Sequence, residues 1–340
     1  MRKKVIKILQ LHKISVEKNA GMLYNITCKN IFSRLVKIGG FYGDVKAERK
    51  HKMRIGTHFA YWGRTWAVDY IELCKRAKAC GLDILEVGAG DLLNMSDAEL
   101  EELRVTAKDL GLEISANLGP PKDKDISSAD PAVRAAGVEF LCGILNQMVK
   151  LDCKILIGAC YNHWPYDFAD IDKEALWARA VEGMKKVGDE ADRLGLTIAL
   201  EILNRFESCI LNTVEEGLKF CADVDRKSVK LLLDTFHMNI EEDNIGDAFR
   251  LAGDMVAHVH VGEANRKLPG TGRNMPWGEI AQALKDIDYK GMVVMEPFLL
   301  DKGEVGDAIK VWRDLSGGAD GAKMDEMMTE SVKFLRSLEA

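Results

Sequence analysis

From residue 53 onward the chain alternates short apolar runs with amphipathic stretches. The short runs, at 54–59, 84–87, 113–117, 154–158, 197–201, 229–234, 255–260 and 292–296, have strand length and recur at a steady beat. Between them, 68–80, 97–110, 132–151, 173–194, 213–224, 245–252 and 277–287 carry a helical period, and a last helix is expected over 324–338. Gly81, Gly111 and Gly195 stand where a left-handed residue closes a helix before the next strand. Ser96 and the pair Asn212-Thr213 stand where an N-cap oxygen is needed. Alternation of this kind implies parallel strands joined by right-handed crossovers. Eight such units predict an α/β fold closed into a (β/α)₈ barrel, a single catalytic domain over 53–340. An open doubly wound sheet is the structural rival. Against it, no glycine-rich dinucleotide turn follows the first strand, and Gly88-Ala89-Gly90 after the second lacks the third glycine.

Charge separates one end from the rest. Residues 1–52 hold 13 Lys/Arg against 3 Asp/Glu, whereas the remainder holds 34 against 50. The first segment has no clean period, and Lys4, Lys7 and Lys13 interrupt its apolar residues, so it does not read as a secretory signal. It reads as a basic extension or as sequence upstream of the true start, with Met53 favoured as that start. The net acidity of the barrel portion excludes nucleic acid as a partner. No run of 18 or more apolar residues exists, so no membrane span is expected. Eight cysteines are scattered without a C-x-x-C pair, which argues against a zinc ribbon and fits reduced thiols in a cytoplasmic setting.

Barrel enzymes place their chemistry at the C-terminal ends of the strands. The last four predicted strands end in Glu201, Asp234, His260 and Glu296, each closing an apolar run: IALE, LLLD, VHVH and VVME. One such residue marks only where a strand meets solvent. Four consecutive ones converge on one mouth, where three carboxylates repel unless a cation lies between them. A site with three carboxylates, one imidazole and no thiolate suits one divalent metal, Mn²⁺ first, with Co²⁺ or Mg²⁺ as alternatives. Glu207, His237 and Arg266 fall in the loops beyond these strands and can hydrogen-bond a polar, uncharged ligand. His258 points to the same side as His260; it reads as a support for it or, favoured, as a satisfied core histidine. The loop 119–130 is either a lid or an ordinary surface loop, and 268–273 reads as a tight turn more than a phosphate cradle. Tyr61, Trp62, Trp164 and Phe298 either wall a small pocket or cover the barrel end.

These motifs together resemble the ketose 3-epimerases, the D-tagatose and D-psicose (allulose) 3-epimerase family within the xylose-isomerase-like barrels. EILNRFE from Glu201, LDTFHMNIEE from Leu233, HVHVGEANR from His258 and VMEPF from Val294 carry the likeness, with YNHWPYDF and IKVWRDL in support. The resemblance implies an isomerase acting at C3 of free ketohexoses, with D-fructose/D-psicose and D-tagatose/D-sorbose as the pairs. It implies Glu201, Asp234, His260 and Glu296 as metal ligands, and Glu201 and Glu296 also as the acid/base pair. Glu207, His237 and Arg266 would bind substrate oxygens, and Trp164 would line the apolar end of the pocket. It further implies a homodimer or homotetramer. His58 stands where relatives carry an aromatic residue; that position is expected to touch the far end of the sugar, so the preferred ketose stays open. The rivals are an aldose–ketose isomerase or a dehydratase on the same barrel. A multi-zinc endonuclease needs more than the seven histidines present, and a sugar-binding protein needs no paired carboxylates on a metal.

Overall fold

In the computed structural model, residues 53–339 are described except 170 and 273. The expectation for residues 1–52 therefore lies outside the described residues. The apolar runs form eight parallel strands that pair in chain order, with β8 returning to β1 to close a barrel. The strands are β1 (Arg54–His58), β2 (Ile84–Gly88), β3 (Glu113–Leu118), β4 (Ile155–Gly158), β5 (Thr197–Glu201), β6 (Val229–Asp234), β7 (Val256–Val261) and β8 (Met292–Met295). Around them lie α1 (Tyr70–Ala79), α2 (Asp97–Leu110), α3 (Pro131–Leu151), α4 (Lys173–Leu194), α5 (Val214–Val224), α6 (Thr235–Glu241), α7 (Ile245–Ala252), α8 (Trp277–Asp286), α9 (Gly303–Ile309) and α10 (Gly321–Ser337).

Local signals set several helix ends. Ser96 accepts from the Glu99 backbone N–H while the Glu99 side chain accepts from Ser96, a reciprocal capping box at the start of α2. Gly111 and Gly195 adopt φ of 65° and 69° at the C-caps of α2 and α4, where a side chain would be strained. Two helices, α6 and α9, went unread in the sequence. Each has seven residues, too few to show a period, and α6 starts directly from the last residue of β6.

Side chains alternate in and out along each strand. Outward residues pack beneath the helices. Inward residues such as Ile84, Ile157, Ala199, Leu232 and Val294 fill the barrel below its mouth. One irregularity matters. Between β6 and β7 the register shifts at Leu231/Leu232, so Leu232 pairs with His258 and Asp234 with His260. Unshifted pairing would set Asp234 beside Val259, whose side chain points outward. The bulge brings two inward-facing polar residues alongside each other.

The segment 119–130 is fastened rather than free to act as a lid. Ile126 and Ser127 are buried, Arg179 Nε donates to Ser127 O at 2.6 Å, and Asp125 meets His163 Nδ1 at 2.6 Å. Tyr61 and Trp62 serve the architecture, since their polar atoms donate to Met324 O and Asp325 on α10. Gly158 closes β4 at φ 110°, and a Cβ there would fall 2.3 Å from Leu118 O on β3. Gly158→Ala is expected to destabilise the fold by about 2–3 kcal/mol, seen as a lower urea midpoint at unchanged slope. An unchanged midpoint would show that the strand end relaxes freely.

Candidate active site

The mouth of the barrel holds a cavity of about 360 Å³, lined among others by His58, Asn117, Trp164, Glu201, Glu207, His237, Arg266, Glu296 and Phe298. At its floor, one carboxylate oxygen each from Glu201, Asp234 and Glu296 and one ring nitrogen of His260 lie within 4.8 Å of one another, all buried. The fold places each of them by a separate device. Tyr161 Oη donates to the Glu201 carbonyl at 2.9 Å and holds the end of β5. Asp234 caps α6: its Oδ1 accepts from Phe236 N at 2.8 Å, which leaves Oδ2 to face Arg266. Thr235 Oγ1 donates to Gly262 O and accepts from Gly262 N, both at 3.0 Å, tying the ends of β6 and β7 together. Glu296 lies one residue past β8, with its N–H donating to Val261 O at 3.2 Å.

Burial of three carboxylates is unfavourable unless positive charge meets them. Arg266 does so in part: Nη1 donates to Asp234 Oδ2 at 2.8 Å and to Glu296 Oε2 at 2.6 Å. Its guanidinium lies 3.9 Å from the centre of the Phe236 ring and 5.4 Å from that of Phe298. The Arg266 backbone is in the left-handed region at φ 62°, a conformation fixed by its N–H donating to Glu263 O and its carbonyl accepting from Phe298 N, both at 2.9 Å. Burial, reinforced by Glu296 and opposed by His260, pushes the Glu201 carboxyl up to about 7. Burial likewise raises Asp234. For Glu296 burial is outweighed by Arg266 and His260, which hold it well below the usual carboxylate range.

His260 Nε2 lies 3.0 Å from Glu86 Oε1, while its Nδ1 is buried with no hydrogen-bond partner, 3.7 Å from both Glu201 Oε1 and Glu296 Oε2. A buried ring nitrogen facing two carboxylates is an arrangement that a divalent cation satisfies. The donor set of oxygens with one imidazole fits a hard or borderline ion. These four residues can hold a divalent metal.

His237 is fully buried. Burial and the nearby Arg266 keep its ring neutral. Asn204 N donates to its Nδ1 at 3.1 Å, so the proton resides on Nε2, which faces the cavity 3.6 Å from Glu201 Oε1. Arg266 Nη2 lies 3.1 Å from that nitrogen. Glu207 accepts from Trp164 Nε1 and from Asn204 Nδ2, each at 3.1 Å, and this orients both Glu207 and the Trp164 ring. His58 reaches the cavity with its ring 5.7 Å from that of Phe298. It lies near enough to Glu296 and His260 to feel their charge, so it stands at the carboxylate end.

Some residues of the site went unread. Glu86 is 0% exposed inside the barrel beneath His260. It sits in the middle of ILEVG, and a carboxylate interrupting a strand buried on both faces was the available signal. Asn204 and Glu263 had none, since loop asparagines and glutamates are ordinary. His258 is not a satisfied core histidine: its Nδ1 has no partner among the described residues, and its Nε2 lies 3.2 Å from Glu86 Oε2 outside hydrogen-bond geometry. Residues 268–271 form a turn, with Thr271 N donating to Leu268 O at 3.2 Å.

A closed parallel barrel with a buried carboxylate–imidazole cluster at its C-terminal mouth defines a class, and residues 74–315 match the family model for xylose isomerase-like TIM barrels. Within it the chain is 48% identical over 285 residues to the D-psicose 3-epimerase of Agrobacterium fabrum (strain C58), covering 84% of this chain and 98% of that one. A crystal structure of a D-psicose 3-epimerase in the presence of D-fructose superposes with a TM-score of 0.82 at 47% identity, covering 84% of this chain and 99% of that one. A D-psicose 3-epimerase with D-tagatose from Clostridium cellulolyticum H10 superposes at 0.83 and 44% identity, covering 84% and 99%. The chain belongs to the ketose 3-epimerase family and is an epimerase of the isomerase class. Among the described residues no helix is long and apolar enough to cross a membrane.

Proposed function

We propose that this enzyme epimerises free ketohexoses at C3, interconverting D-fructose with D-psicose and D-tagatose with D-sorbose. Glu201 and Glu296 serve as the acid/base pair, and Glu201, Asp234, His260 and Glu296 hold one divalent cation, Mn²⁺ first, with Co²⁺ or Mg²⁺ as alternatives. The observation that carries this is the pair of buried glutamates flanking the unpartnered Nδ1 of His260.

Epimerisation removes the proton on C3, which is acidified by the adjacent C2 carbonyl, and returns one to the opposite face. A divalent cation held by Glu201, Asp234, His260 and Glu296 would supply Lewis acidity toward the carbonyl. One ionised glutamate takes the C3 proton and the electron pair passes into the C2 carbonyl; the pair then returns to C3, which takes a proton from the other, protonated glutamate on the far side. Glu201 and Glu296 stand on opposite sides of His260 at the ends of β5 and β8, three strands apart around the mouth. That separation lets them approach the two faces of one carbon. Arg266, with His237 against its guanidinium, faces a sugar oxygen that gains charge as the proton leaves. Glu207 accepts from a sugar hydroxyl, and Trp164 and Phe298 exclude water from the carbon chain.

An aldose–ketose isomerase on this barrel would use a similar site, so the product decides. Metal-loaded enzyme incubated with D-fructose, D-psicose and D-tagatose is expected to yield the C3 epimer of each. Formation of an aldose, or of a dehydrated product, would overturn the assignment.

A further inference from the structure

The carboxylate of Glu86 has no place in the proton transfers, yet it lies at the centre of the barrel with none of its surface exposed. A buried carboxylate persists only when its lone pairs are met. Ser115 Oγ donates to Oε2 at 2.9 Å, and Asn117 Nδ2 donates to Oε1 at 3.2 Å. His260 Nε2 lies 3.0 Å from Oε1, and His258 Nε2 lies 3.2 Å from Oε2. Ser115 is the register partner of Glu86 on β3, and the two histidines reach across the barrel interior from β7. Glu86 thus ties one side of the barrel to the strand that carries His260.

We infer that Glu86 is the positioning residue for the metal centre: its carboxylate keeps the His260 proton on Nε2, so that the Nδ1 lone pair faces Glu201 and Glu296. The inference rests on the metal-binding role proposed above for His260. A neutral imidazole has one N–H, and the nitrogen that donates to a carboxylate leaves the other free as an acceptor. Among the described residues Nδ1 has no hydrogen-bond partner, whereas Nε2 has the Glu86 carboxylate within hydrogen-bond distance. Without Glu86 that preference is lost, the ring can carry its proton on Nδ1 or turn about χ2, and the lone pair is misdirected. A partner of this type typically changes metal affinity 10–100-fold. Asn117 lines the cavity as well as contacting Glu86, so the same strand holds the anchor and a part of the ligand wall.

The test is Mn²⁺ titration of the metal-stripped full-length protein, wild type against Glu86→Gln, with Co²⁺ visible absorption as a second readout. Glutamine keeps the shape and an acceptor oxygen but removes the charge. The expected result is one Mn²⁺ per wild-type chain, a dissociation constant raised at least about tenfold in E86Q, and an altered Co²⁺ spectrum. At saturating Mn²⁺ the KM for D-psicose should be close to that of wild type. If E86Q does not fold, Ser115→Ala carries the test, because it loosens the carboxylate without removing it; a dissociation constant raised about threefold or more is then expected, less than the full loss of such a partner. An unchanged dissociation constant in a folded E86Q, or in S115A where that is the variant used, overturns the inference alone. Wild-type protein that binds no Mn²⁺ overturns the metal site and this inference with it. Two Mn²⁺ per wild-type chain, one of them lost in E86Q, would make Glu86 a ligand of a second ion instead and also overturn it.

Discussion

Glu201→Gln and Glu296→Gln are each expected to lower kcat for D-psicose epimerisation by at least about 10³-fold, since each removes one of two acid/base groups that act in the same turnover. The amide matches the carboxylate in size but cannot take the C3 proton, and it weakens the grip on the cation. The two roles separate by measuring bound Mn²⁺ alongside turnover. Where the metal is retained, one variant is expected to keep exchange of the C3 proton with solvent while failing to invert it, because one base still reaches one face. Full activity in either variant would refute the two-base scheme. Asp234→Asn differs in kind. It removes the charge opposite Arg266 Nη1 while its remaining oxygen can still cap α6, so a guanidinium left without one of its two carboxylates adds a loss of stability to the loss of activity.

Removal of the metal is expected to have an equally large effect. Exhaustive chelation should abolish turnover, and Mn²⁺ or Co²⁺ added back should restore it. The physical ground is the charge balance at the floor of the cavity: Glu201, Asp234 and Glu296 are buried together, and Arg266 contacts only the last two by hydrogen bonds. The Nδ1 of His260, which no protein donor reaches, is the further indication. Undiminished turnover in excess chelator, with metal loss verified by elemental analysis, would contradict a metal-dependent mechanism.

Much of this architecture was legible because its signals are local. A carboxylate or histidine closing an apolar run is visible in five residues, and four such endings in succession point at one mouth. Helix ends marked by Ser96, Gly111 and Gly195 were equally plain, because capping depends on only a few neighbours. What stayed hidden depends on residues far apart in the chain. Glu86 meets His260 across 174 positions, and its role is set by Ser115, Asn117 and His258 together. The register shift at Leu231/Leu232, which aligns Asp234 with His260, leaves no mark in either strand's composition. Tyr61 and Trp62 looked like pocket walls because they follow β1. Their N–H and O–H groups found acceptors on α10 instead, a packing decision made more than 250 positions away.

The central claim is that a proton is removed from C3 and returned there by two glutamates on a metal-bearing barrel mouth. It is tested most directly by following metal-loaded enzyme acting on D-psicose in D₂O, with the sugars resolved by NMR. The expected product is D-fructose with deuterium at C3, none at C1, and no aldose. Deuterium at C1 accompanied by an aldohexose, or epimerised sugar that carries no deuterium after many turnovers, would contradict it.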